Sequence, residues 1–423
     1  MSTDPQLVKT HALEWRHNER IFRPLVDYNL AYLLSAERQG LVPQEAARPA
    51  IGCLQDLRGE GLSGMAFAPE KDGLQPNLEA EVIRRIGAQH GGWVSIGRAR
   101  QECELVARQI AMRDDLLGVI GLAGAVLDAL LGLARRERAT VMPYYTWAQH
   151  AEPITFGYFA VANAYAVQAD CERLERAFRR ADLARAGAGQ VVPPPFSIDR
   201  ERIAGRLGFS GVLPNSLHAY SSGDIEIEIL AALASFSANL ARLSETLFVW
   251  ASPEFGFLRF APEFTGTSYA MPQKQNPYAL RQIRPLAAQA AGAWQEAMSL
   301  HAGSLQIVGN GVIHLPNRVL DMLATMQPVL TLLAAALPTL QFDTERMRED
   351  AVRGWSGIPQ LVYYLVRQHD VPFRQAHDIG GKVVRQAMSD GLTPDDVLPE
   401  TVQAHVADIT GRHIEMDRDE LRT

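Results

Sequence analysis

The sequence predicts an all-α protein that associates through its helices, and three observations carry this. After Gly97, five long stretches with helical spacing of apolar residues run between breakers, while long strand-like alternations are scarce. Each stretch is about 25 to 38 residues, roughly 40 to 55 Å at 1.5 Å per residue, far longer than an average globular helix. Their apolar residues, as in LAALASFSANL and PLAAQAAGAW, wrap around more than one face. Such helices must bury several faces. One five-helix bundle does not supply that burial alone, so bundles from several chains are expected to join.

The region before Gly97 carries shorter helical runs, DYNLAYLLSAERQGL and NLEAEVIRRIGAQ, with Gly and Pro between them. The first long helix is expected over about 100–138, ending before Met142 and Pro143. A second is expected from Pro153 to about residue 186, since a proline suits a first helical turn. The third covers about 224–251 and the fourth about 277–302, opened by Pro277. The fifth runs over about 316–340, bent at Pro328 and Pro338. Beyond about 342 the amphipathic pieces shorten again. Residues 187–195, GAGQVVPPP, read as a loop, because long helices resume on both sides.

Composition narrows the function classes. Forty-one Lys and Arg against 48 Asp and Glu leave a net charge of −7, which argues against a nucleic-acid binder. Three cysteines, Cys53, Cys103 and Cys171, form no CxxC pair, which speaks for a reducing compartment. The chain starts polar and without an apolar export core, so the reading is cytoplasmic. Residues 116–134, LLGVIGLAGAVLDALLGLA, imitate a membrane span, but Asp128 interrupts them and Arg135, Arg136 and Arg138 come directly after, so a bundle helix is favoured. No HxxxH or HxH pair, phosphate-cradling glycine loop or dinucleotide fingerprint is visible, and no cofactor or metal is expected.

The segment richest in chemistry is 264–284, FTGTSYAMPQKQNPYALRQIR. Gly266, Thr267 and Ser268 are small and polar, and Lys274 and Asn276 precede a helix that Pro277 is expected to open. With Asn276 as its N-cap, that helix would present about half a positive charge. A hydroxyl, an ammonium and a helix N-terminus in one place would suit an anion whose charge grows during a reaction. The alternative is an ordinary capped loop with a solvated Lys274.

This loop resembles the GSSxMPxKxN signature of the aspartase/fumarase superfamily, and other segments are most similar to argininosuccinate lyases. Residues 142–157, MPYYTWAQHAEPITFG, resemble their MPGYTHLQRAQPITFG, and GRAR at 97–100 stands where they have GRSR. NSLHAYSSGD (215–224), ETLFVWASPEFGFLRFAPEF (245–264) and PFRQAHDIGG (372–381) are similar too. The resemblance implies an all-α, three-domain fold divided as 1–98, 99–345 and 346–423, with a central five-helix bundle. It further implies a homotetramer with a twenty-helix core, whose composite sites take segments from three chains and act on a small dicarboxylate, without nucleic acid or membrane.

The implied chemistry removes a proton beside a carboxylate and expels a group from the next carbon, leaving fumarate. Lys274 and Asn276 would stabilise the doubly charged intermediate, and a loop serine would be the base. Counting back from Lys274 selects Ser268; counting forward from Gly266 selects Thr267. Ser268 is favoured, since the Met-Pro-x-Lys-x-Asn frame is fixed to the helix. Arg100 would pair with a substrate carboxylate in a bidentate fork, and Thr146 and Gln149 would bond the succinyl half. Asn77, Arg98, Gln101, Trp147, Thr267 and Met271 complete the implied substrate-binding set.

The sequence also departs from the pattern. The family's Thr-His pair reads Thr146-Trp147, and the glutamate that orients the histidine is Arg281. An indole donates a hydrogen bond but does not titrate usefully. TWAQHA at 146–151 is similar instead to the TWLQHA of 3-carboxymuconate cycloisomerases. HTGRSRND reads SIGRARQE at 95–102, and VGNGVIHLP at 308–316 keeps none of the run that holds the amino-acid end of argininosuccinate. His150 and His314 are spare histidines that could replace the acid. The expectation is a C–N lyase that eliminates a nitrogen group from a substituted succinate other than argininosuccinate; a cycloisomerase or a disabled structural relative are the alternatives.

Overall fold

The computed structural model describes residues 15–71, 73–189, 192–303 and 310–422. Helices dominate, and the strands are two-residue pieces paired into small ribbons. The fold is all-α, as the sequence predicts. The first helices are α1 (Asn18–Arg38), α2 (Gln44–Glu60), α3 (Leu74–Ile86) and α4 (Arg100–Arg136). After α5 (Phe156–Ala181) come two short helices, α6 (Arg200–Arg206) and α7 (Ser216–Ser221), and then α8 (Asp224–Trp250), α9 (Ile283–Gly303) and α10 (Asn310–Ala336). Helices α11 (Thr344–Arg353), α12 (Ile358–His369), α13 (Phe373–Ser389) and α14 (Pro399–Thr410) follow, and single helical turns stand at Ala88–Gly91 and Arg418–Arg422 besides.

Two expected helix starts move, each for a local reason, and a third helix is already formed before its expected start. Ile154–Thr155 pair with Val141–Met142, so α5 begins at Phe156 rather than at Pro153. Gln275–Asn276 pair with Gly266–Thr267, so Pro277 leads only into a 3-10 turn, Tyr278–Leu280, and α9 begins at Ile283. Asn276 is therefore not the cap of the long helix. Among the described residues α10 is already helical at Asn310, before the expected Pro316, with Pro316 and Pro328 inside it, each withholding one backbone donor from the helical ladder.

Contacts gather the chain into two compact units: 1–126 with 166–244 and 279–334, and 127–165 with 245–278 and 335–423. In the first unit, Ile21, Phe22, Leu25, Tyr28 and Tyr32 of α1 and Leu54 and Leu57 of α2 are buried. Two ionic groups stiffen its interior. Arg185 donates to both oxygens of Glu226, at 2.6 and 2.9 Å, with both side chains buried. Asp170, also buried, accepts from Arg173, Ser235 and Asn239. Losing either partner of such a pair costs more than the pair contributes, because a buried charge is left alone.

The second unit has an aromatic cluster in which Phe156 lies 4.3 Å from Phe342 and Phe159 lies 4.7 Å from Trp250, between ring centres. Its C-terminal helices close over Val362, Leu365, Ile379, Val383 and Val402. By contrast α9, in the first unit, is poorly covered: Ile283, Leu286, Ala290, Ala293 and Ala297 are buried at helical spacing, while Trp294 and Met298 are exposed. Tyr158 and Tyr165 of α5 and Phe248 and Val249 of α8 are exposed as well. Among the described residues three helical stretches, Arg100–Arg136, Asp224–Trp250 and His314–Thr339, are long and apolar enough by composition to cross a membrane.

Candidate active site

In the second unit a nested hairpin presents the 142–157 motif. Its outer ribbon pairs β1 (Val141–Met142) with β4 (Ile154–Thr155), and its inner ribbon pairs β2 (Tyr145–Thr146) with β3 (Gln149–His150). The inner strands are joined by Trp147 and Ala148 alone, at φ 53° and 59°. Both central residues are left-handed, which a two-residue hairpin of type I′ requires. Residues with a Cβ resist that conformation by roughly 1–2 kcal/mol each. The turn thus holds Trp147 outward, 96% exposed, beside the exposed Thr146 and Gln149.

Ladder alternation separates the hairpin's side chains. Thr146 and Gln149 face one another across it, and Tyr145 and His150 form the next pair on the other face. There the Tyr145 ring meets His150 at 5.1 Å and Phe255 at 5.8 Å. A Cβ at Gly354 would lie 1.9 Å from His150 Nδ1. His150 thus lies on the face away from Thr146 and Gln149, against Tyr145 and Gly354, and is itself exposed.

The signature loop, in the same unit, is a second ribbon. Strand β5 (Leu183–Ala184) pairs in parallel with β6 (Gly211–Val212) in the first unit, and β7 (Leu258–Arg259) precedes the loop. Then β8 (Gly266–Thr267) pairs with β9 (Gln275–Asn276), Gly266 opposite Asn276 and Thr267 opposite Gln275. Asn276 Nδ2 donates to the Gly266 carbonyl at 3.2 Å, and the Lys274 N–H donates to the Met271 carbonyl at 3.1 Å. Ser268 and Lys274 are the next residues past the ladder on either strand. The two-residue period carries both to the face of Asn276 and carries Thr267 to the opposite one. Gly266 is needed because the Tyr278 ring lies against it, where a Cβ would fall 2.1 Å from Cε2. Ser268 is half-buried; Thr267, Met271 and Lys274 are exposed.

The first unit holds the remaining positions. Asn77 is buried, and its amide is engaged within the chain: Oδ1 accepts from the Ala68 N–H at 2.7 Å, and Nδ2 donates to Ala68 O and Gly73 O. The Arg98 guanidinium is buried over the rings of Tyr32 (4.1 Å) and Tyr28 (5.1 Å) and donates to Asn29 Oδ1 and the Val94 carbonyl. Arg100 opens α4, with its Cδ against Gly73. Gln101 Oε1 accepts from Tyr220 Oη at 2.5 Å. His314 is exposed on α10; much of the stretch around it, 304–309 and the side chains of 310–313, lies outside the described residues.

Sequence reasoning missed the group beneath this segment: Glu102, which accepts from Tyr28 Oη and from the Gly187 N–H. Burial pushes its carboxyl up to about 7, against the pull of Arg98, of those two donors and of Arg200. The available signal was an acid directly after the motif. Its partner Tyr28 lies 74 positions away, which no local pattern reveals.

No cavity described within either unit is lined by any of these residues. The second unit's cavity, about 340 Å³, is bounded by Val141, Pro153, Trp355, Leu361, Val383 and Arg418, and two in the first unit measure about 320 and 540 Å³. Among the described residues no three His, Cys, Asp or Glu gather as a metal site.

The family model described as Lyase matches residues 2–292, and the model described as Argininosuccinate lyase C-terminal matches residues 359–417. The argininosuccinate lyase of Symbiobacterium thermophilum is 31% identical over 92% of this chain and 84% of its own length. That of Methanothrix thermoacetophila is 31% identical over 85% of this chain and 73% of its own length. A crystal structure of EDDS lyase in complex with formate superposes with a TM-score of 0.86 at 26% identity, covering 95% of this chain and 79% of that one. An EDDS lyase variant with bound fumarate gives 0.86 at 25% identity, over the same shares.

Proposed function

The chain belongs to the lyase family that includes argininosuccinate lyase, a fumarate-releasing C–N lyase, and from that premise we propose that its substrate is a substituted succinate other than argininosuccinate, whose nitrogen leaving group departs without a strong proton donor. The observation that carries this reading is Trp147. It stands at the hairpin tip, exposed, where the family's motif has a histidine, while Arg281 replaces the glutamate that would orient that histidine. A nitrogen of low basicity, or a stabilised anion such as nitrite, needs no proton as it leaves.

In this reading Ser268 takes the proton beside the carboxylate. Lys274 and Asn276, on the same ribbon face, stabilise the two charges that accumulate on that carboxylate. Arg100 and Gln101 hold the other carboxylate, and Thr146 and Gln149 bond the succinyl half. The ribbon alternation supports Ser268 over Thr267 as base. The sites would be composite, in a homotetramer of three-domain chains divided near residues 98 and 345. What supports assembly is the uncovered apolar surface of α5, α8 and α9, and in a cytoplasmic enzyme the membrane-like α8 would be a subunit contact of this kind. The fumarate bound in a variant of EDDS lyase, a neighbour by fold, supports fumarate as the common product.

The test is fumarate formation by the purified protein over argininosuccinate, adenylosuccinate, nitrosuccinate, several N-alkyl aspartates and carboxymuconate, with Ser268→Ala as blank. Fumarate from one member, absent in the blank, establishes the lyase and its leaving group. Trp147 specifically favours a second reading, cycloisomerisation; consumption of carboxymuconate without fumarate would select it.

A further inference from the structure

The start of α4 is fixed in space by two neighbouring acceptors. Glu102 Oε1 takes hydrogen bonds from Tyr28 Oη, on α1, and from the Gly187 N–H at 2.8 Å. One residue earlier, Gln101 Oε1 takes one from Tyr220 Oη, on α7. Gly187 sits at φ 69°, and a Cβ there would lie 2.9 Å from Arg200 Cγ, so only a glycine brings that N–H to the carboxyl. Glu102 is 1% exposed, and among the described residues its Oε2 has no hydrogen-bond partner, so Oε1 makes the tether.

We propose that Glu102 is a positioning residue for carboxylate binding: by accepting from Tyr28 and Gly187 it holds the first turn of α4 so that Arg100 and Gln101 meet the substrate carboxylate. This rests on the reading of those two residues as substrate contacts. The tether needs an acceptor and no charge, so an amide oxygen serves as well. The charge acts separately. An ionised Glu102 beneath a dianion site opposes the ligand, so binding tightens as the carboxyl gains its proton. The groups facing it are Arg98, which precedes α4, Tyr28 and Tyr32 on α1, Arg200 on α6, Tyr220 on α7 and Cys103 on α4. Burial raises both Tyr32 and Tyr220 to about 12 and Cys103 likewise, so Glu102 is the member of the group that titrates near neutrality.

The experiment is calorimetric titration of the intact protein with fumarate from pH 6 to 8.5, with thermal midpoints alongside. Tyr28→Phe and Glu102→Ala should weaken binding about tenfold, the scale of one lost buried hydrogen bond. Glu102→Gln should rescue the loss in Glu102→Ala and abolish the tightening that the unsubstituted protein shows below about pH 7. Folded Tyr28→Phe and Glu102→Ala proteins that bind fumarate as tightly as the unsubstituted chain would overturn the proposal. So would Glu102→Gln weakening as far as Glu102→Ala, since charge and not the acceptor would then matter. If the unsubstituted protein binds no fumarate at any pH, the reading of the site itself falls, and this inference with it.

Discussion

Lys274 directly precedes β9, two residues from Asn276 on it, and Ser268 stands just past the last ladder pair on the facing strand. Three groups proposed to act on one carboxylate are thereby held by a single ribbon. Ser268→Ala is expected to abolish fumarate release, and Lys274→Met to reduce it by about 10²–10³, the usual loss when one stabilising donor is removed; steady-state rates on the substrate identified by the panel check both. Glu102 adds a stability prediction of definite sign. In the folded chain its carboxyl titrates near 7 and in the unfolded chain near 4.5. Between these values the folded state holds the proton and the unfolded state does not, so stability falls as pH rises through that window, by about 3 kcal/mol in all. Denaturant melts at pH 4.5 and 8 should show this loss relative to Glu102→Gln, which lacks the titrating group.

At the scale of elements, the Trp147-Ala148 turn stores conformational strain where the motif is presented. Ala148→Gly should relieve about 1 kcal/mol at φ 59°, seen as a small rise in the thermal midpoint. The helices were legible in the sequence because period and length are local: α4 and α8 fall within two residues of their expected ends. Starts marked by proline were not, because Pro153 and Pro277 adjoin residues that pair across ribbons. The strands concerned are two residues long and leave no alternation to detect. The candidate residues themselves were legible as motifs. Which face each occupies, His150 opposite Thr146 for instance, is set only by the register of β2 with β3.

For the whole molecule, the exposed Trp294, Met298, Tyr158 and Tyr165 put apolar surface on long helices, the kind of surface that marks an interface. Sedimentation should give four times the 46.6 kDa chain, and the double substitution Trp294→Glu with Met298→Glu should dissociate the assembly and end fumarate release together. If sites are composite, mixing the inactive Ser268→Ala and Arg100→Ala proteins should restore part of the activity through hybrid tetramers.

The proposed chemistry turns on a leaving group that departs without help from a histidine acid. Its most direct test is the rate of fumarate release from a graded series of N-substituted aspartates, spanning strongly to weakly basic nitrogens, with the unsubstituted enzyme and Trp147→His side by side. The prediction is a steep fall in kcat/KM as the nitrogen becomes more basic, flattened by Trp147→His. A flat dependence in the unsubstituted enzyme, unchanged by that substitution, would contradict it, because an acid elsewhere in the site would then be delivering the proton.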